Sequence, residues 1–179
     1  MSSLIGYQER IDWVGETVVT LAEVRPSEAK AVVVGINPSL TSVAAGHYFQ
    51  GSGARARLMM LVRAGVLELH AGELTFERAA LDAGIAFADL VRRPTPSATD
   101  LSLAELTFGR SQFEERMAAR AVPLVLAIYA PPVEALLGAK AVPGYQQSRT
   151  SWGAKVFNLP RPYMRSDLAA EVMSKLRWA

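Results

Sequence analysis

The sequence predicts an α/β fold, a parallel sheet covered on both faces by helices with its ligand site at the carboxyl ends of the strands. Three observations predict it. Four short apolar, β-branched runs recur along the chain, helical patterns fall between them, and the loops after the runs are polar, proline-rich and arginine-bearing. Continuous apolar runs suit strands buried on both faces. Strands alternating with helices imply βαβ units, and open α/β sheets bind ligands where their strands end.

Taken in order, Trp13, Val14, Val18 and Leu21 fall on one face of a predicted first helix. Ala31-Val-Val-Val-Gly-Ile36 is the first strand and runs into Asn37-Pro38-Ser39. Leu58, Leu61 and Val62 have the i, i+3, i+4 spacing of a helix, with Gly65 as its stop. Ile85 to Val91 is the second strand. Ser102-Leu-Ala-Glu105 has the pattern of a capping box and opens a helix through Leu106, Phe113 and Met117. Leu124 to Tyr129 and Lys155 to Leu159 are the third and fourth strands. Between them, Tyr145 to Trp152 reads as a plain connection, with a flap as the alternative. Ser166 is placed to cap a last helix with the stripe Leu168, Val172 and Leu176, and Lys175 and Arg177 complement its dipole.

The 179 residues fit one domain, 1–179, and the 50% hydrophobic and 20% charged residues describe an ordinary globular chain. No apolar run reaches the roughly 18 residues needed to span a bilayer, and Met1 to Arg10 lacks the pattern of a signal peptide. A cytoplasmic location is the expectation, in keeping with the absence of cysteine. Without cysteine, thiolate catalysis, iron–sulfur clusters and cysteine-ligated zinc are excluded. Only His47 and His70 could supply imidazole, and no acidic cluster has calcium-loop spacing, so no metal or cofactor is expected. The formal charge is +2 and most of the basic residues are arginine, suited to phosphates and planar base edges.

The chemistry-bearing residues gather in the predicted strand-end loops. Pro38 holds Asn37 away from helix; its amide can position a water or simply cap the turn. Gly51-Ser-Gly53-Ala-Arg-Ala56 matches a dinucleotide-binding pattern but lies some fifteen residues past its strand. Those glycines are better read as a close turn before a helix carrying Arg55 and Arg57. An unrelated nucleotide-binding enzyme stays open as an alternative. Asp89 sits inside an apolar strand pattern and reads as structural, and His70 as solvent-facing.

Gly35-Ile-Asn-Pro38, Ala45-Gly-His-Tyr-Phe49 and Gly51-x-Gly53 resemble the first motif of the mismatch-specific uracil and thymine DNA glycosylases, within the uracil-DNA glycosylase superfamily. Leu90-Val-Arg-Arg-Pro-Thr95 with Asp100 to Glu105 resembles the family's second conserved stretch, and Leu159-Pro-Arg-Pro162 falls where its DNA-inserting loop begins. The resemblance runs from about Val32 to Leu176 and implies a three-layer α/β/α sandwich with a short parallel four-stranded sheet. It implies hydrolysis of the N-glycosidic bond of uracil in single- or double-stranded DNA, by a monomer that flips the nucleotide into a pocket. Asn37 would position the water and Phe49 would stack on the base with Tyr48 beside it. Backbone groups of Gly35 and Ile36 would meet the base edge.

For the departing base, whose negative charge grows as the bond breaks, Arg161 and His47 are the candidate stabilisers. Arg55, Arg92, Arg93, Arg165 and Ser166 are the candidate DNA contacts and Met164 the apolar wedge, its loop aimed by Pro162. The chain departs from the family at Ala54-Arg-Ala-Arg57, where an asparagine and bulky aromatics are usual. It departs again at Arg161-Pro-Tyr-Met-Arg-Ser166, where the first residue is usually a neutral amide. A non-catalytic member that binds uracil-containing or single-stranded DNA is the second alternative.

Overall fold

The computed structural model describes residues 3–161 and 163–178. Its first element is not the helix that the apolar spacing predicts. Gln8–Trp13 (β1) and Glu16–Leu21 (β2) form an antiparallel hairpin, with Ile11 opposite Val18. The turn decides the matter. Val14 and Gly15 both take positive φ, 55° and 83°, as tight hairpin turns require, and Asp12 Oδ1 accepts from the Gly15 N–H at 3.1 Å. In the strand period Ile11, Trp13 and Val18 share one side, which packs with Val91 and Leu101.

Ala31–Gly35 (β3), Ile85–Asp89 (β4), Leu124–Ala127 (β5), Gly144–Tyr145 (β6) and Lys155–Asn158 (β7) form a sheet of order β4-β3-β5-β7-β6. The four predicted strands run parallel: Val33 pairs with Phe87 and with Leu126, and Leu126 with Phe157. To these the structure adds the antiparallel edge strand β6, where Tyr145 pairs with Phe157. Two residues are too few to show a period, so the sequence reads this stretch as a connection.

Among the described residues six α-helices flank the sheet: Leu40–Ala45 (α1), Ser52–Arg63 (α2), Glu77–Ala83 (α3), Leu103–Ala119 (α4), Ala130–Leu137 (α5) and Ser166–Ser174 (α6). Strand side chains alternate between two cores. Val33, Phe87, Leu126 and Phe157 meet Leu58 and Leu61 of α2, Ala79 and Ala80 of α3, and Val172 of α6. Val32, Val34, Ala86 and Val125 meet Phe113 and Met117 of α4, and Val133 and Leu136 of α5. This is the three-layer arrangement, and each large apolar side chain it buries contributes about 1.5–3 kcal/mol.

The predicted capping box of α4 forms, with Ser102 Oγ accepting from the Glu105 N–H at 3.2 Å and Glu105 Oε2 accepting from the Ser102 N–H at 3.2 Å. At α6 the expectation fails. Arg165 holds the cap position without a side-chain cap, and Ser166 is the first helical residue. Among the described residues no helix is long and apolar enough to cross a membrane.

Candidate active site

The carboxyl ends of β3, β4 and β5 open into a cavity of about 330 Å³, within the range of small-ligand sites. Its walls come from the loop after β3 (Gly35 to Ser39), from Phe49 and Gly51, from Asp89 at the end of β4, from Thr95 and Pro96, and from Tyr129. A wider concavity of about 1090 Å³ lies at the opposite ends of the strands, among Lys30, Arg120, Arg149 and Lys155. It holds none of the predicted site residues. The smaller cavity is where strand ends and polar groups converge.

Asn37 is held as a positioned amide rather than a turn cap. Its Nδ2 donates to the Arg93 carbonyl at 3.0 Å and to Thr95 Oγ1 at 2.7 Å. Thr95 Oγ1 spends its own proton on the Ser97 carbonyl at 2.6 Å, so toward Asn37 it can only accept. Two acceptors fix which end of the amide is nitrogen. Both N–H groups are spent, and among the described residues nothing donates to Oδ1. A parallel bridge between Ser39 and Thr95 ties the two loops together beside this anchor.

The loop that carries Phe49 is tightly built. Ser39 caps α1 by accepting from the Ser42 N–H at 3.1 Å, and Ser42 Oγ accepts from the Gln50 N–H at 3.1 Å. Phe49 has a φ of 56°, a left-handed conformation that costs of order 1–3 kcal/mol and is found where surrounding structure enforces it. Its ring lies edge-on to Phe87 with centroids 5.2 Å apart, and lines the cavity. Tyr48 lines the same wall from inside the core: its ring is fully buried and its hydroxyl lies 3.5 Å from the Leu21 carbonyl. The Gly35 and Ile36 carbonyls already accept from the Leu90 and Val91 N–H groups at 3.0 and 2.9 Å.

Asp89 is the residue the sequence reading undervalued. It lines the cavity and is almost wholly buried, and its carboxyl lies so close over Gly35 that a Cβ there would overlap Oδ1. Burial raises its pKa to about 7, with Arg92 opposing the shift and Glu23 adding to it. A carboxyl ending an otherwise apolar strand was the available signal, because a buried polar residue is the informative exception. Thr95 and Tyr129 were also missed. Arg57, one turn after Gly53, stacks over the Tyr129 ring at 4.4 Å and donates to the Gly53 carbonyl at 3.2 Å.

Other predicted residues lie elsewhere. His47 is not among the cavity residues; its Nδ1 faces the buried Glu77 carboxylate at 3.4 Å. Arg92 is no free DNA contact. It is buried, donating to Glu9 and to the Leu21 carbonyl at 2.9 Å, and so clamps the hairpin to the strand end. Arg93 donates to both carboxylate oxygens of Glu105, at 2.6 and 2.9 Å, which with Ser102 holds Glu105 down at about 2. Arg55 donates to the Leu74 carbonyl at 2.5 Å and lies over Phe76.

After β7, Arg161 is exposed and outside the cavity wall. Arg165 pairs with Asp167 at 2.6 Å in full view of solvent. Met164, the predicted wedge, is half-buried and faces Met60 and Met173 in a groove between α2 and α6. Tyr163 is the side chain that stands out, 99% exposed. Pro162, expected to aim this loop, lies outside the described residues. Among the described residues no three His, Asp or Glu side chains are grouped to hold a metal ion.

No curated protein matches the chain. The family model of the uracil DNA glycosylase superfamily matches residues 22–176. That span takes in the whole sheet, the cavity and the loop after β7, and omits only the hairpin and the two ends. It supports a DNA glycosylase type of function, and the chain belongs to the uracil-DNA glycosylase superfamily.

Proposed function

We propose that this protein is a monofunctional uracil-DNA glycosylase that hydrolyses the N-glycosidic bond and leaves an abasic site, resembling the mismatch-specific branch at its first motif. The observation that carries the reading is the Asn37 amide, pinned through its nitrogen with its oxygen free beside a cavity of base size. A flipped nucleotide enters between Phe49 and the strand ends, at a cost of a few kcal/mol of unstacking. Asn37 Oδ1 then accepts a hydrogen bond from the water that attacks the sugar.

As the C1′–N bond breaks, its electron pair goes to the base. The water oxygen bonds to C1′ and its proton passes to solvent. Arg161 and Arg165, exposed on the loop after β7, contact backbone phosphates rather than the base. Tyr163 takes the wedge role in place of Met164. The substrate is uracil-containing DNA, acted on by a monomer in the cytoplasm without a cofactor.

The test is single-turnover cleavage of a uracil oligonucleotide, with abasic sites opened by alkali. Asn37→Ala should slow the wild-type rate by about a hundredfold or more while DNA binding stands. Wild-type protein that binds uracil DNA and makes no abasic sites would be a binding member of the superfamily instead. Near-wild-type cleavage by the variant would remove Asn37 from the mechanism.

A further inference from the structure

We propose that the concavity at the amino ends of the strands is a second nucleic-acid site, one that takes a single strand of DNA by its phosphates and by the faces of its bases. It lies at the other end of the sheet from Asn37 and needs no glycosidic chemistry, so it does not rest on the glycosylase reading.

A parallel sheet gathers the starts of its strands at one end, and here those starts are basic. Lys30 stands immediately before β3, Arg120 follows α4 ahead of β5, and Lys155 opens β7. Arg149, from the loop before β7, and Arg177, after α6, join them around the hollow of about 1090 Å³. Glu28 is the one carboxylate on its wall among the described residues. A neighbouring hollow of about 220 Å³ shares Tyr145, Arg149, Lys155 and Arg177 and continues past Gln147. Together they make a trough larger than the roughly 300–1,000 Å³ of small-ligand sites.

The charge of this trough is not offset within the chain. Elsewhere Arg92, Arg93, Arg110, Arg116 and Arg165 each face a carboxylate. Among the described residues none of the five cations of the trough does so. Arg120 donates to the Pro26 carbonyl at 3.4 Å through Nη2, and its Nη1 is buried without a partner. Like charges gathered around one hollow repel each other and attract a polyanion.

Aromatic side chains distinguish a nucleic acid from other polyanions. Tyr145, Trp152 and Trp178, all half-buried, line the same trough. Trp152 is fixed by its Nε1 donating to the Val122 carbonyl at 2.9 Å. Tyr145 rests edge-on against Phe157 with centroids 5.0 Å apart, and Lys155 Nζ lies 6.0 Å from its ring centroid. Fixed rings beside cations suit a single strand, whose bases stack on the rings while its phosphates meet the charges. A duplex keeps its bases stacked inside and offers such rings nothing. The segment Tyr145 to Trp152, a plain connection in sequence, supplies Arg149 and two of the rings.

The probe is a labelled thymidine strand about thirty nucleotides long and free of uracil, its binding read by fluorescence anisotropy across a salt series. Lys30→Ala/Arg149→Ala/Lys155→Ala removes three exposed cations and spares the half-buried Arg120. This variant should bind about tenfold or more weaker near 0.1 M salt, with a salt slope smaller by about two units, at roughly 0.7 per phosphate contact. Lys30→Arg/Arg149→Lys/Lys155→Arg should restore both. Ultraviolet cross-linking should place thymine adducts on Tyr145, Trp152 or Trp178 in the wild type and lose them in the alanine variant. Cleavage of a short uracil oligonucleotide by that variant should keep the wild-type rate.

Equal affinity and slope in the wild type and the alanine variant overturn the proposal, as do adducts confined to the Asn37 end. A duplex that binds as tightly as the strand, with the same loss in the variant, overturns the single-strand assignment. So does binding of phosphatidylserine vesicles that the variant loses while strand binding stays unchanged. Protein that makes no abasic sites but holds the strand through these residues refutes the glycosylase reading and upholds this one.

Discussion

Asp89→Asn should make the protein more stable relative to wild type as the pH rises. The Asp89 carboxyl titrates at about 7 in the fold against an ordinary value of 3.8. Between those values the folded state holds a proton that the unfolded chain has lost. The sign follows directly: stability is fully present below about 4, falls as pH rises toward about 7, and stays low above. With about 1.4 kcal/mol per pKa unit, the whole penalty is roughly 4 kcal/mol, of which roughly 3 kcal/mol develops between about pH 5 and about pH 9. The assay is urea unfolding of both proteins at those two values. Asparagine has its own burial cost, but that cost does not titrate, so the difference in pH slope is the readout. Parallel pH dependences would show that Asp89 ionises freely in the fold, and would refute the account of its burial.

The loops around the cavity give two further tests. Thr95→Val removes one of the two acceptors that orient Asn37, and should slow cleavage about tenfold with about 1 kcal/mol lost from stability. Thr95→Ser should restore the rate, and equal rates in all three proteins would show that the anchor is dispensable. Tyr163→Ala should slow duplex cleavage about tenfold and leave single strands unaffected. Met164→Ala should instead cost about 1–2 kcal/mol of stability with both rates kept; the reverse pattern would restore Met164 as the wedge.

The parallel sheet was legible because strands buried on both faces announce themselves as apolar runs, and the register bears out all four. The hairpin was not. Trp13, Val14, Val18 and Leu21 satisfy a helical spacing, and only the positive φ values at Val14 and Gly15 decide against it. At the site, Gly35 to Asn37 and Phe49 were legible because one short loop carries them from a recognisable strand to a helix. The arginines were not, because an arginine that grips phosphate and one that closes an ion pair look alike in sequence. Arg92 owes its burial to Glu9 and Leu21, residues far earlier in the chain. Asp89 reads as structural from its apolar company, and the same company buries it at the cavity wall and raises its pKa to about 7.

The anchoring of Asn37 sets which substitutions this site can absorb over evolutionary time. One of its two partners is the Arg93 main-chain carbonyl, which any residue at position 93 would present equally well. The other is the Thr95 hydroxyl, which only serine could replace in kind. The arginine side chain at 93, occupied with Glu105, is therefore free to drift along with its partner. Position 95 is tied to position 37. Chains of this type should vary together at 93 and 105, and should change 95 only where 37 has already ceased to be asparagine.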